Sequence, residues 1–420
     1  MKYLLTAVRQ AAIFIDRGQW LILIAAAPWL LFPTAARSPI MLVVPVVWIV
    51  AGLAGRAAIP RTPLNVSVLA LAVMTLISLY ATYDMTISLP KIAGLTLGFG
   101  AFFAVARLGR ERAWWLRIYV AVMALGVALA GVGLLGTQWL NKIAFLSPIL
   151  NRLPPVLRGL PGAEEGFQPN QVAGTLLWIL PLMLMGLVQA RRNRRPIATG
   201  IGAFALLFVL GVFVLTQSRS GYIGLAAGLA VMLIVSAPIR LRKWLVMGVI
   251  VGIVAVGVIV WRSSGTPGDG ALSLDTLEGR VEVWSRALSG IADFPLTGMG
   301  LNTFRHIVHV LYPLFLIGPD VDLGHAHNEF LQAALDLGLP GLIAFIALYL
   351  GAFAMLWHIW RTSAGGRPRR AFALGLGGSL LAHLVYSLTD AVALGAKPGL
   401  VFWLVLGLIA GLFEQTEDEG

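Results

Sequence analysis

Apolar residues in this chain come in long blocks separated by short polar intervals. The blocks cover 20–36, 39–55, 64–83, 87–106, 114–137, 171–190, 197–216, 221–237, 243–261, 340–360, 371–389 and 398–413. A helix needs about 20 apolar residues to cross the hydrocarbon core of a bilayer. Backbone polar groups cannot be left open in hydrocarbon, so each block is expected to be helical. The pattern predicts an all-α fold, a polytopic membrane bundle of about twelve transmembrane helices.

The polar intervals set the orientation. Arg56 and Arg61, then Arg107, Arg110 and Arg112, then Arg191, Arg192, Arg194 and Arg195 fall in alternate intervals. So do Arg240, Arg242 and Lys243, and Arg361, Arg367, Arg369 and Arg370. By the positive-inside rule these intervals are cytoplasmic. Residues 1–19 mix Lys2, Arg9, Asp16 and Arg17 with Tyr3, Leu4, Leu5, Val8, Ile13 and Phe14. They read as an amphipathic helix on the cytoplasmic surface, and no cleavable signal peptide is evident. Both termini are then expected inside, which requires an even number of spans.

Two longer intervals fall on the opposite face, 138–170 and 262–339. The chain thus divides into spans one to nine over 1–261 with the outer segment 138–170, an outer segment over 262–339, and three spans with a tail over 340–420. Within the second outer segment, amphipathic helices are expected at 278–291 and 327–337.

Composition supports lipid as the main solvent. Of 420 residues 58% are hydrophobic and 12% charged, against roughly 25% charged in soluble domains. Mean hydropathy is +0.85. The net charge of +12 invites a nucleic-acid partner, but the basic residues sit in short clusters between apolar blocks, as topology determinants do. The chain has no cysteine, which excludes a disulfide, a thiolate nucleophile and a zinc–thiolate centre.

Candidate chemistry concentrates on the outer face, where arginine is not explained as a topology signal. The outer arginines include Arg152, Arg158, Arg219, Arg262, Arg280, Arg286 and Arg305. Arg219 sits in Thr216-Gln217-Ser218-Arg219-Ser220-Gly221, a tight loop between two blocks. It suits either nonspecific lipid phosphate or the diphosphate of a lipid-linked substrate, because guanidinium binds phosphate oxygens bidentately and stays charged. Arg280 lies one helical turn before Trp284, which also fits an interfacial helix with an aromatic anchor and a snorkelling arginine.

Histidine is scarce, six in the chain, and His306, His309, His325 and His327 all lie in the second outer segment. An imidazole takes a proton near neutral pH, so His327 suits a general base acting on a sugar hydroxyl. It equally suits a helix-start histidine bonded to nearby backbone. His325-Ala326-His327 with Asp320-Val321-Asp322 raises a divalent-metal site, but three fixed ligands are not evident. In Gly166-Phe167-Gln168-Pro169-Asn170-Gln171 the proline is expected to start a helix, whose free N–H groups suit an anion or ordinary helix entry.

Four elements in order resemble the O-antigen ligase family, within a larger ligase and polymerase superfamily. Gln168-Pro169-Asn170 resembles its Asn-Pro-Asn element, with Gln168 in place of the first Asn. Ser218-Arg219-Ser220-Gly221 resembles its Arg-Ser-Gly element. Gly279-Arg280 through Trp284, then Pro295, Gly298-Met299-Gly300 and Phe304, resembles its long-loop pattern. His327-Asn328-x-x-Leu331 with Gly338 resembles its His-Asn-x-x-Leu…Gly element.

The resemblance implies a GT-C-like glycosyltransferase of the bacterial inner membrane with a periplasmic active site. It implies transfer of O-antigen from undecaprenyl diphosphate to a sugar hydroxyl of lipid A-core. The mechanism would be inverting, with no cofactor and no metal. The partners would be the undecaprenyl-diphosphate-linked donor, the lipid A-core acceptor and membrane lipid, with no nucleic acid. Arg219 and Arg280 would clamp the diphosphate, His327 would be the base, and Asn170, Gln168, Arg152, Arg158, Asn328 and Arg305 would line the substrate site. The alternatives are an O-antigen polymerase and a protein O-oligosaccharyltransferase of the same superfamily. The second usually carries a larger C-terminal outer region, whereas this chain ends just after its last block. A lipid-linked glycan transporter is the alternative from another class; it would call for charges at mid-depth and repeat symmetry, neither of which stands out.

Overall fold

The computed structural model describes residues 10, 18–53, 59–140, 142–153, 156, 157, 159, 166–263, 277–363, 367–392 and 394–417. Arg158, the N-terminal amphipathic segment apart from Gln10 and Gly18–Gln19, and the last three residues of the tail lie outside the described residues. Most of the described residues are helical, and none lies in a strand. One isolated bridge joins Thr137 to Phe167.

The main helices in chain order are α1 Gln19–Leu31, α2 Val43–Leu53, α3 Asn65–Ala81, α4 Met85–Leu108 and α5 Arg112–Gly136. They continue as α6 Pro169–Leu177, α7 Leu180–Arg192, α8 Pro196–Leu215, α9 Arg219–Ser236 and α10 Ile239–Ser263. The last five are α11 Leu277–Asp293, α12 Phe304–Leu311, α13 Glu329–Thr362, α14 Arg367–Tyr386 and α15 Leu400–Glu417. Among the described residues, each apolar block read from the sequence is mostly helical. Eight helical stretches among the described residues are long and apolar enough to cross a membrane, and α1 and α3 are shorter apolar helices. Large apolar side chains such as Phe204, Leu207 and Ile343 point outward, more than 65% exposed. That is the surface a bilayer covers, and the chain is a polytopic helical membrane protein.

The block at 171–190 is not one regular helix. α6 ends at Leu177 and α7 begins at Leu180. Pro181 has no N–H and its ring crowds the carbonyl four residues earlier, so the ladder breaks there. Small residues let neighbouring helices approach elsewhere. A Cβ on Gly224 would strike the Ala382 carbonyl, and one on Gly228 would come within 2.6 Å of the Gly378 carbonyl. These contacts seat α9 against α14 in the manner of small-residue packing in membranes.

The amphipathic helix expected at 278–291 is α11. The one expected at 327–337 is the first part of α13, continuous with the following span across a kink at Gly338 (φ 70, ψ 177). A Cβ there would lie 2.5 Å from the Leu296 carbonyl, so only glycine fits both the backbone and the contact. The Leu339 N–H donates to the Pro295 carbonyl at 2.7 Å and the Met299 N–H to the Leu335 carbonyl at 2.7 Å. These bonds lock the loop after α11 onto the kink. Beneath α11, Val283, Ala287, Met299, Phe304, Val308 and Leu335 form a small core of their own.

Candidate functional site

The site is built around the turn that ends α14. Five consecutive residues, 386–390, are each held by a group from elsewhere in the chain. The Tyr386 hydroxyl donates to the Asn170 carbonyl at 2.7 Å. The Ser387 carbonyl accepts the Glu329 N–H at 2.9 Å, and the Leu388 carbonyl accepts the Asn328 side-chain amide at 2.9 Å. Arg280 donates to the Thr389 carbonyl at 2.6 Å. Asp390 closes the run, with its carboxylate 1% exposed.

Three cationic or imidazole groups face that carboxylate. Arg280 lies 3.7 Å from one oxygen, while His325 Nε2 and His327 Nδ1 each lie 3.7 Å from the other. Burial pushes the Asp390 carboxyl up, but the two histidines and Arg280 outweigh it and hold it below the usual range. Burial, with the His327 ring beside it, pushes His325 down to about 3. His325 is therefore neutral at physiological pH.

Local structure aims these groups. α11 carries Arg280 and Trp284 on one face, one turn apart, and the Trp284 indole donates to the His327 carbonyl at 3.3 Å. Asn328 caps α13 by accepting the N–H groups of Phe330 and Leu331, both at 3.0 Å. Such a cap is worth about 1 kcal/mol. His327, just before it, has φ +48. Both of its ring nitrogens are shielded from solvent and lack a hydrogen-bond partner. The helix-start role open to His327 in the sequence, a bond to nearby backbone, is not made. Nor does Arg280 snorkel, since its side chain is 15% exposed and turned to Thr389 and Asp390.

The other candidate residues divide. Pro169 starts α6, as expected, with Gln168 exposed before it. Asn170 joins the centre through Tyr386, whose hydroxyl also lies beside Asp390. Arg219 opens α9, where Ser218 caps the helix by accepting the Gly221 N–H at 3.2 Å. Gln217 Oε1 accepts the backbone N–H groups of Lys142 and Ile143 at 3.0 and 2.6 Å, which ties the first outer segment to this turn. A Cβ on Gly221 would lie 3.1 Å from Ala173 of α6, so the first turns of α9 and α6 pack together. Arg219 itself is exposed and makes no polar contact with the Asp390 group among the described residues. Arg152 is exposed on the turn after Ser147–Leu150 and likewise makes no contact there. Arg305 is committed elsewhere, in a two-pronged pair with Asp322 whose Nε–Oδ1 distance is 3.0 Å.

The structure redraws the metal possibility. Asp320 is exposed and Asp322 is taken by Arg305, so neither joins the histidines. Asp390 does, and His325, His327 and Asp390 bring three potential ligand atoms within 4.8 Å of one another. Two features disfavour an ion. His325 Nδ1 accepts the His327 N–H at 3.1 Å, so the neutral ring carries its proton on Nε2, the nitrogen turned toward Asp390. Arg280 adds a fixed positive charge on the other oxygen of the same carboxylate. Asp390 escaped the sequence motifs. Its signal in the sequence was a lone carboxylate directly after an apolar block.

Comparison with known proteins bears on residues 202–346, which match the family model described as O-antigen ligase. That segment contains Arg219, Arg280, Arg305, His327 and Asn328; Asn170 and Asp390 lie outside it. An O-antigen ligase of Pseudomonas aeruginosa strain PAO1 is 24% identical over 247 residues, 58% of this chain and 53% of the relative. The chain spans about half the length of the curated relative it matches. The ordered motifs and both comparisons point the same way: over residues 202–346 the chain is similar to the O-antigen ligase family.

Proposed function

We propose that this protein is an O-antigen ligase, a glycosyltransferase of the bacterial inner membrane with about twelve spans, cytoplasmic termini and a periplasmic site. It would move O-antigen polysaccharide from undecaprenyl diphosphate to a sugar hydroxyl of lipid A-core. The observation that carries this reading is the meeting of Arg280 and His327 on the buried Asp390 carboxylate. A buried imidazole, carboxylate and guanidinium could also serve a proton relay in a transporter; the similarity of residues 202–346 to O-antigen ligases favours transfer.

The geometry supports a role for each residue. Asp390 faces His327 Nδ1, so it favours the tautomer with the proton there and leaves the Nε2 lone pair for chemistry, the logic of a carboxylate-oriented base. Nε2 has no protein partner and takes the proton of the acceptor hydroxyl. The acceptor oxygen attacks the anomeric carbon from the side opposite the diphosphate. The bond to the phosphate oxygen breaks, its electron pair stays on the diphosphate, and the configuration inverts. Arg280 and the more exposed Arg219 neutralise that leaving charge, the task a metal performs elsewhere. Fixed charge in a partly dry site acts more strongly than in water. Because both His327 nitrogens are shielded, the acceptor enters only after a local opening of the second outer segment.

The test is transfer by purified protein between lipid-linked donor and lipid A-core in the presence of a chelator. Glycosylated lipid A-core is expected. Elongation of a lipid-linked glycan without product on lipid A-core would indicate a polymerase instead, and loss of activity with chelator would return a metal to the site.

A further inference from the structure

The mechanism above uses one histidine of His325-Ala326-His327 and leaves the other without a task. His325 is 7% exposed, too buried to meet a bulky glycan. Its two nitrogens nevertheless face two parts of the proposed machinery. Nδ1 accepts the His327 backbone N–H at 3.1 Å. Nε2 looks toward Asp390 at 3.7 Å. The two imidazole rings lie 4.5 Å apart between centroids, tilted by 58°.

The turn needs such a support. His327 has φ +48, a left-handed conformation that an L-residue other than glycine adopts only when its surroundings hold it. The neighbouring amides are fixed in the same way. The Ala326 N–H donates to Gln332 Oε1 at 2.8 Å, and the Gln332 amide donates to Asp336 Oδ1 at 2.9 Å. The Glu329 N–H goes to the Ser387 carbonyl. The His327 N–H has the His325 ring as its acceptor, so the direction of the catalytic ring depends on a second imidazole two residues back.

We infer that His325 is a positioning residue for glycosyl transfer, its Nδ1 holding the His327 turn while its Nε2–H faces the Asp390 oxygen that Arg280 does not. The inference rests on the base role proposed for His327. A neutral ring does this with one tautomer, and a protonated ring does not, because Nδ1 would then present a proton to another donor. Burial keeps the ring neutral.

The experiment compares His325→Asn, whose side-chain oxygen can stand where Nδ1 stood, with His325→Leu, which supplies no acceptor. Steady-state transfer is measured with lipid-linked donor and lipid A-core, with His327→Ala alongside. The Leu variant is expected to lose at least about 100-fold in kcat with donor KM within about twofold of wild type, and the Asn variant to recover at least about tenfold of that loss. Wild-type kcat in the Leu variant, or an Asn variant no better than Leu, would overturn the inference. If the Leu variant does not fold, His325→Phe replaces it, since it keeps an aromatic ring there but offers no acceptor to the His327 N–H. Asn must then exceed Phe by about tenfold, and equality overturns the inference. Full activity in His327→Ala would instead sink the base role itself. A dead His327→Ala beside a fully active His325→Leu would sink only the role of His325.

Discussion

The Trp284 indole N–H donates to the backbone carbonyl of His327 at 3.3 Å. One bond thus joins the helix that carries Arg280 to the turn that carries the proposed base. The aromatic anchor suggested by the sequence is a brace between the two elements that carry the proposed site residues. Trp284→Phe keeps most of the ring and removes the donor. It is expected to lower transfer by roughly tenfold with a small loss of stability, about 1 kcal/mol, the worth of an ordinary hydrogen bond. Parallel measurement of kcat and melting temperature checks this. Unchanged kcat would show that the brace does not matter to the chemistry.

Asp390 is the shared partner of Arg280, His325 and His327. Replacing it by Asn keeps the shape and removes the charge. His327 then loses the group that sets its tautomer, and Arg280 loses its counterion. Asp390→Asn is expected to cut kcat by at least about 100-fold, the scale of general-base assistance, while the protein remains in the membrane. Activity within a few-fold of wild type would remove Asp390 from the mechanism.

Much of this arrangement was legible in the sequence, and the part that was not has a physical reason. The helices followed from the apolar blocks because a bilayer forces internal hydrogen bonding on whatever spans it. Arg280, His327 and Asn328 were legible because their motifs are local in sequence. Asp390 was not, because its role comes only from folding the end of α14 against α11 and the turn before α13. His325 was visible only as a possible ligand; the hydrogen bond that fixes its tautomer is a property of a left-handed turn that no pattern of residues announced. The break at Trp178–Ile179 was signalled by Pro181 and was lost within the apolar block.

The buried neutral state of His325 links stability to pH. Its folded value is pushed down to about 3 from 6.5, mainly by burial. The unfolded chain therefore binds a proton there as pH falls below about 6.5, and the folded chain does not. Stability from this group is fully present above that pH and is lost as pH falls toward 3. By pH 5 the loss is about 2 kcal/mol. Asp390, held low by the two histidines and Arg280 against the effect of burial, adds a loss only below the usual carboxylate range. The melting temperature of wild type is expected to fall more steeply between pH 6.5 and 5 than that of His325→Asn. Parallel slopes would show that His325 titrates normally.

Arg305 offers a contrast. It is paired with Asp322 at the surface, and Arg305 together with the Gly324 N–H holds the Asp322 carboxyl low although burial opposes this. An exposed pair of this kind contributes roughly 0.2–1 kcal/mol. Arg305→Ala is expected to leave transfer within about threefold of wild type and to lower melting slightly. A loss of 100-fold or more would place Arg305 on the substrate after all.

The proposed chemistry stands most directly on the His327 ring. Purified wild type and His327→Ala would be given lipid-linked O-antigen and lipid A-core with chelator present, after matching their melting temperatures. The expected result is glycosylated lipid A-core from wild type and none above background from His327→Ala. Full transfer by His327→Ala would contradict the assignment of the base, and with it the account of how Arg280 and Asp390 serve the reaction.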